Sequence, residues 1–581
     1  MKTPGPVRPQ RVSPPHRASA QELLSARSFV AATVVLIVAI FLIYLPTLNF
    51  QFILDDHRFL SDPRVQSPGH VWEYFSNYVW AQFSGGPATF YRPLFILWLR
   101  INFILAGVSS AGWHFLSIVK HVSVAGLLGI TVWALLRDPV AALLAAGLFA
   151  LHPAQTESVA WVTVPDPLMS VAVLAAVLLF LRYLSWIAIN QPSQSLSNRK
   201  RRKAIRNVVV KPSVWWLLAS AGACLAALLA KETAIILPVF FLALGLIVGP
   251  SRADRTSAPH GERGRSSRLL YALQAWAPYL GVTVIYLVFR FSALGGKLGA
   301  NTQDLGYKTI LLSFPATAWF YIKVMFWPVQ LRAFADPTQI NTLSVHAVLL
   351  PGLAVGCTAL ILTALLLWAW RKSTRDLPAL ELGRIRLALC LGVLLLVLPI
   401  LPALNLNALN PGDFLHGRYT YLPLAGLMLL FATAWHLADQ WRLYVLSAAI
   451  LVAFAFAVLT WRLETAWKDD LTVFTVAHQI APHNQPVALN LARARVQETL
   501  KLAEWGQCDD AIPVFQQVTR EFPNDWFAWA ALGDCQAQLN DFQAAEQSLH
   551  RAADLSRKPQ VIQEWEQVRT RVPSGATLPS D

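Results

Sequence analysis

The sequence predicts an all-α protein in two parts: a polytopic membrane bundle of about eleven spanning helices, then a small α-helical repeat domain. Three observations carry this. Of 581 residues, 55% are hydrophobic and 14% are charged, where soluble domains carry about 25% charged residues. The apolar residues cluster into nearly charge-free runs such as Phe29–Leu45, Val171–Leu184 and Leu360–Trp370, the pattern that a hydrocarbon core about 30 Å thick demands of a helix. The last stretch loses these runs and repeats itself at a fixed period. An ordinary soluble enzyme is excluded, as is a disulfide scaffold, because the chain holds only 5 cysteines.

Residues 1–27 are rich in Pro and Arg, with Lys2, Arg8, Arg11, Arg17 and Arg27 against Glu22, and read as a disordered cytoplasmic tail. The run Ser28–Leu48 is long and lacks a small-residue cleavage site after it, so it reads as a first spanning helix and not a signal peptide. Three later stretches are basic: Asn190–Pro212, with no acid, Gly249–Arg268 and Arg371–Arg386. The net charge of +15 therefore reads as membrane orientation, with these loops cytoplasmic, and not as nucleic-acid binding.

That orientation decides two ambiguous segments. Leu94–Ala106 is short and contains Arg100, and Leu311–Trp327 contains Pro315 and Lys323. If both lie along the outer face, every basic loop falls inside. The expected spans are 28–48, 113–136, 139–155, 167–188, 213–230, 233–249, 271–290, 346–370, 386–404, 420–438 and 442–461. Residues 28–461 then form the membrane domain, 462–570 an extracytoplasmic repeat domain and 571–581 a disordered end.

In the repeat domain Ala511 and Ala545, Phe515 and Leu549, and Gly506 and Asn540 are each 34 residues apart, the tetratricopeptide period. About two repeats and a docking helix are expected to pack on the membrane domain, since solenoids of so few repeats rarely stand alone. Cys508 and Cys535 flank a turn near Pro523. A disulfide and two buried thiols are both compatible with that placement.

The outer face collects polar groups. Asp55-Asp56-His57 follows the first span, and Tyr91-Arg92 opens the first interfacial segment. His152, Glu157 and Asp166 lie between two spans, Lys231-Glu232 interrupts a hydrophobic stretch, and Arg418-Tyr419 begins a late helix. Each alone reads as a solvated pair or a snorkelling side chain. Together they place Arg92, Lys231 and Arg418 where an anion at membrane depth could sit, beside carboxylates able to act as a base. A lipid phosphate has such a charged head at that depth, so the pattern specifies transfer of a sugar from a polyprenyl phosphate.

Taken in order, these residues resemble the GT-C superfamily of integral membrane glycosyltransferases, and most closely the TMTC-type protein O-mannosyltransferases, which join such a core to tetratricopeptide repeats. The likeness runs through Asn49, Phe50 and Asp55-Asp56; Tyr91-Arg92-Pro93-Leu94; His114, Phe115, Lys120 and His121; His152-Pro153 and Glu157 to Trp161; Lys231-Glu232; and Arg418-Tyr419 to Pro423. Two stretches depart from the family pattern. Val164-Pro165-Asp166 keeps an acid without the usual Gly-Arg, and His416-Gly417 replaces an acid before Arg418.

The resemblance implies a GT-C-like fold. It implies Asp55 or Asp56 as general base toward an acceptor hydroxyl, with Asp56 favoured. Arg92, Lys231 and Arg418 are implied as donor-phosphate ligands, and Tyr91, His152, Glu157, Asp166, Glu232 and Tyr419 as positioning groups for donor or acceptor. The implied donor is a polyprenyl- or dolichyl-phosphate sugar, mannose-like, and the implied acceptor is Ser or Thr of a protein, presented through the repeats. No cofactor and no metal ligand set is required, fixed cations serving instead, and a divalent cation stays open. The partners are then the lipid-linked donor, a polypeptide and membrane lipids, without nucleic acid. The expected location is a bacterial inner membrane, with the site and repeats periplasmic.

Two alternatives remain at this point. An O-antigen-ligase-like oligosaccharide transferase would place its basic residues in a large late outer loop, whereas the loop around 405–419 is short. A non-catalytic membrane-anchored repeat scaffold would not need the ordered polar groups. A transporter is disfavoured, since no inverted repeat of broken helices is visible.

Overall fold

A computed structural model describes residues 26–83, 90–189, 214–248, 263–297, 305–329, 339–376, 379–408 and 415–572. Both terminal tails, the basic stretch 190–212 and most of 249–268 lie outside the described residues. Among those described, regular structure is helical. The elements are α1 (Ala26–Tyr44), α2 (Asp56–Leu60), α3 (Pro93–Ala106), α4 (Ser110–Leu136), α5 (Pro139–Ala150), α6 (Thr156–Ala160), α7 (Asp166–Ile189) and α8 (Val214–Ala230). They continue with α9 (Leu237–Val248), α10 (Arg263–Ala293), α11 (Tyr307–Phe326), α12 (Leu350–Asp376), α13 (Ala379–Val397), α14 (Tyr421–His436) and α15 (Arg442–Glu464). The tail adds α16 (Asp470–Ile480), α17 (Gln485–Glu504), α18 (Cys508–Glu521), α19 (Trp526–Gln538), α20 (Phe542–Ser556) and α21 (Pro559–Arg569).

Local chemistry sets the ends. Ser109 caps α4, and Asp138 caps α5 by accepting from the N–H groups of Val140 and Ala141, with Pro139 in the first turn, where its missing N–H costs nothing. Helix α5 is apolar on every side, and almost all of it is buried, as a central membrane helix should be. Helices α13 and α14 cross at bare backbone: a Cβ at Gly426 would lie 2.6 Å from the Gly392 carbonyl oxygen and 2.5 Å from Leu396 N. Only glycine admits that approach, which brings van der Waals contact between helices where lipid removes the hydrophobic drive.

Polar contacts gather at two opposite levels of helix ends. At one, Asp138 accepts from His436 Nδ1 at 2.8 Å with Arg442 3.8 Å away, His436 Nε2 is 3.8 Å from Glu381, and Lys372 pairs with Asp439 at 2.9 Å. This level holds part of the basic stretch 371–386. The other level holds the acidic turn at Asp55-Asp56 and everything described in the next subsection.

Among the described residues, eight helices are long and apolar enough to cross a membrane, or nine if α5 and the bent segment Pro153–Ala160 form one span; α3, α8 and Glu232–Ile247 are shorter apolar helices. The α3 helix has 14 residues, about 21 Å at 1.5 Å per residue, too short for the core. Helix α11, expected along the outer face, has 20 residues and passes the same length and apolarity test. Its two ends nonetheless meet the same level. Leu305, just before it, donates its N–H to Asn407 Oδ1 at 3.0 Å, and Met325, near its end, accepts from His152 Nε2 at 3.0 Å.

The tail is a stack of helix pairs. Ala511, Phe515, Ala528, Leu532 and Cys535 share one core, and Cys508 and Cys535 are disulfide-bonded, with Cα atoms 5.2 Å apart. The first tail helices pack on the membrane domain. Trp467, Val473, Phe474, Val487 and Leu491 form one apolar cluster with Phe50, Ile53, Trp161 and Val164. Gln51 also donates its N–H to the Lys468 carbonyl at 2.8 Å.

Candidate functional site

The site is built around one short segment, Trp161–Asp166, that joins α6 to α7. Every residue in it is buried, where polar groups mostly find partners within the protein; among the described residues Trp161 Nε1 and Asp166 Oδ2 have no hydrogen-bond partner. Four partners come from distant parts of the chain.

The first is Asp56. Its Oδ1 accepts from the Thr163 hydroxyl at 2.6 Å and the Thr163 N–H at 3.3 Å, and its Oδ2 accepts from the Ile53 N–H at 3.1 Å. Asp56 is 1% exposed. Burial pushes its carboxyl up to about 7, against the opposing pull of the Thr163 and Ile53 hydrogen bonds. Asp55, beside it, is only partly buried. The preceding Leu54 has φ 54°, a left-handed backbone conformation uncommon for a branched side chain. Asp56, the favoured base on sequence, is thus enclosed by protein, and Asp55 is the carboxylate nearer the surface.

The second is Lys231, whose Nζ donates to Asp166 Oδ1 at 2.6 Å, with both side chains under 5% exposed. The ammonium also sits 4.5 Å from the centre of the Tyr419 ring. Next to it in sequence, Glu232 takes both oxygens to Arg92, with Nε to Oε2 at 2.7 Å and Nη2 to Oε1 at 2.6 Å, a bidentate pair of the kind that fixes orientation. Arg92 stands just before Pro93 at the start of α3, while Lys231 and Glu232 fill the break between α8 and α9.

The third is Arg418. Its guanidinium lies 4.6 Å from the Trp161 ring centre and 6.0 Å from that of Tyr419. Its backbone N–H donates to Glu157 Oε2 at 3.0 Å, while its Nη1 is 3.7 Å from Glu157 Oε1. The closer partner of that oxygen is His416 Nδ1 at 2.8 Å. The fourth is Lys120 of α4, whose Nζ donates to the Val162 carbonyl at 3.3 Å.

The predicted residues therefore meet around one segment, with two exceptions. Tyr91 is fully buried; its hydroxyl donates to the Phe75 carbonyl at 3.0 Å, and its ring packs against Tyr286. It holds the outer loop to α10. His152 is spent on Met325 O and on the Ala154 N–H, which its Nδ1 accepts at 3.2 Å, so it ties α11 to the bend after α5.

Trp161, Thr163, Lys120 and His416 belong to the arrangement but were not predicted as site residues. Trp161 and Lys120 stood inside quoted motifs and could have been found there. Thr163 carried no signal, and His416 was visible only as a departure from an expected acid.

Arg92, Lys231 and Arg418 each meet one carboxylate: Glu232, Asp166 and Glu157. Of the three pairs, that of Arg418 is the loosest, at 3.7 Å, and its guanidinium rests on aromatic faces. Cation–π contact of this kind holds a charge without consuming its hydrogen-bond donors. Lys231 and Arg92 have ring contacts of their own, 4.5 Å from Tyr419 and 4.3 Å from Phe90, so it is the looser ion pair that lets Arg418 take a new anion at lower cost than either.

Comparison with known proteins finds similarity in both parts of the chain. A tetratricopeptide-repeat family model matches residues 502–563. The chain is homologous over most of its length to protein O-mannosyl-transferases: it is 25% identical to Tmtc1 of Drosophila melanogaster over 76% of this chain and 57% of that protein. It is 26% identical to TMTC3 of Mus musculus over 81% of this chain and 48% of that protein. The chain thus spans about half the length of the curated relatives it matches. Among solved structures, the Archaeoglobus fulgidus oligosaccharyltransferase in its apo form aligns over 80% of this chain and 60% of its own, at 13% identity and a TM-score of 0.39.

Proposed function

We propose that this protein is a membrane glycosyltransferase that moves a hexose, mannose-like, from a polyprenyl-phosphate donor to a hydroxyl of a polypeptide. The observation that carries the reading is the Trp161–Asp166 segment, which brings the acidic turn within one short loop of three cations at a single level of helix ends. The names of the relatives, protein O-mannosyl-transferases, support the reaction class.

In this reading the acceptor oxygen attacks the anomeric carbon from the face opposite the phosphate. The bond from that carbon to the phosphate oxygen breaks, the configuration inverts, and the acceptor proton passes to a carboxylate. We assign that carboxylate to Asp55, because a base must reach the acceptor and Asp56 is closed off by Thr163 and Ile53. Asp56 fixes the turn from which Asp55 works. The departing lipid phosphate carries the negative charge. Arg418 meets it first, with Lys231 and Arg92 adding positive field from their pairs.

The same reading sets the orientation. Eleven crossings, with α3 and α11 along the outer face, place the acidic turn and the tail on the side away from the basic stretches. In a bacterial inner membrane that side is the periplasm. The contacts between the tail and residues 50–57 support the tail and the acidic turn sharing one side, whatever the number of spans between them.

The test is transfer from polyprenyl-phosphate mannose to Ser/Thr peptides by the full chain in lipid nanodiscs. Asp55→Asn is expected to abolish transfer while the protein stays inserted and folded. Unchanged transfer by Asp55→Asn would remove the base assignment, and no transfer by the parent chain with any polyprenyl-phosphate hexose would remove the activity.

A further inference from the structure

We infer that Asp470, in the first turn of the helix that opens the repeat domain, is a positioning residue that clamps the acidic turn from both sides. Its Oδ1 accepts from the Leu54 N–H at 2.8 Å, and its Oδ2 meets His57 Nε2 at 2.9 Å. Leu54 and His57 flank Asp55 and Asp56 directly, so one carboxylate from 416 residues away along the chain spans the pair.

The clamp has work to do at that point. A left-handed conformation at a non-glycine residue is unfavourable and persists only where surrounding contacts over-determine it. Leu54 is in that conformation. On one side Asp56 ties the turn to Thr163 of the membrane domain. On the other, Asp470 supplies the hydrogen-bond acceptor for Leu54 itself. Asp470 is well placed to be rigid: Asp469, just before it, caps α16 by accepting from the Thr472 N–H at 2.8 Å, and the helix is packed through Val473 and Phe474 against Phe50 and Ile53.

The side chain of Asp470 is 17% exposed and that of His57 is 43% exposed. The contact thus lies at the rim of the turn, where it can hold the backbone without occupying the ground an acceptor needs. The consequence is that the repeat domain sets the position of the carboxylates in the membrane domain. The catalytic consequence rests on the transferase reading above; the clamp itself does not.

Asp470→Ala and Asp470→Asn, each in the full chain in nanodiscs, separate the two. Hydrogen exchange over 51–60 reads the clamp. It is expected to quicken by on the order of tenfold or more in Asp470→Ala, with the peptides of α4 and α7 unchanged, and by less in Asp470→Asn, which keeps one acceptor oxygen for the Leu54 N–H. Transfer kinetics read its use. A misplaced reacting group costs on the order of ten- to a hundredfold, so kcat is expected to fall by that much while KM for the donor stays within about twofold.

Unchanged exchange in both variants would overturn the clamp. Faster exchange with kcat intact would overturn the positioning role. A parent chain with no transfer would refute the activity alone, with exchange still deciding the clamp.

Discussion

Replacing Thr163 by Val tests how the buried carboxylate is held. Valine keeps the volume and branching of threonine and removes the hydroxyl that donates to Asp56 Oδ1 at 2.6 Å. A hydrogen bond to a charged group contributes about 1.5–3 kcal/mol, and one to a neutral group about 0.5–1.5 kcal/mol. The loss should therefore depend on whether Asp56 is ionised.

In the folded protein the Asp56 carboxyl stands at about 7, above its ordinary 3.8, mainly through burial. A raised acid favours folding fully below the ordinary value and loses that contribution as pH climbs through the folded one. The difference corresponds to about 4 kcal/mol. Removing the hydroxyl weakens the ionised form most, by about 1–1.5 kcal/mol more than the neutral one, so the midpoint moves up by about one pH unit and the fold loses most at alkaline pH.

The charged groups that act on Asp56 are His57 and Asp55 beside it and Lys120 from α4, and none is altered by the substitution. The assay is thermal unfolding in nanodiscs followed by tryptophan fluorescence, at pH 5.5 and pH 9.5. Thr163→Val should melt close to the parent at the lower pH and clearly below it at the higher. Equal destabilisation at both would refute the reasoning, since the hydroxyl would then be bonded to a group that does not ionise across that range.

Arg418→Gln should lower kcat by on the order of a hundredfold or more, the usual loss when a donor to a developing anion is removed, with folding unchanged because its ion pair is loose; donor-dependent transfer checks this. Breaking the buried Lys231–Asp166 pair by Lys231→Met or Asp166→Asn alone should each cost about 3–5 kcal/mol, while the double variant recovers part of it; a double-mutant cycle on thermal stability reads the coupling. Reducing the Cys508–Cys535 bridge, or replacing both with Ser, should remove about 3–4 kcal/mol from the repeat domain, given a sequence separation of 27. Limited proteolysis should then cut within 502–563 while α4 to α15 stay protected.

The bundle was legible because lipid imposes a one-dimensional rule: apolar runs of fixed length, charges at their ends. That rule locates α4, α7 and α8 within a few residues, whereas α13 lies seven residues earlier than the run 386–404 suggests. It says less about α11, whose 20 residues satisfy the length for crossing while both ends bond to residues at the level of the acidic turn. What distinguishes the cases is where Asn407 and His152 sit, and no local pattern encodes that. Asp55 and Asp56 illustrate the same limit. They are neighbours in one motif, and it takes Thr163, 107 residues on, to help enclose Asp56 while Asp55 stays partly buried. The partners of the cations were equally out of reach, since Arg92 and Glu232 are 140 residues apart in segments that share no periodicity.

The charge balance of the site explains why such a cluster can exist before any donor arrives. Three unpaired cations at membrane depth would be costly, and mutual repulsion would spread them. Each instead meets a carboxylate: Arg92 with Glu232, Lys231 with Asp166, Arg418 with Glu157. An incoming phosphate must then compete with a carboxylate, and the tight pairs concede little. In the proposed reaction the weakest pair would decide where it binds, which points to Arg418, 3.7 Å from Glu157 and 4.6 Å from the Trp161 ring centre. His416 sharpens this, because it takes the same Glu157 oxygen at 2.8 Å and so loosens the hold on Arg418. Trp161 in turn packs in one cluster with Trp467 and Phe474. The aromatic platform beneath Arg418 and the clamp on the acidic turn therefore rest on the same tail helices. A polypeptide that shifts those helices would act on both halves of the reaction at once.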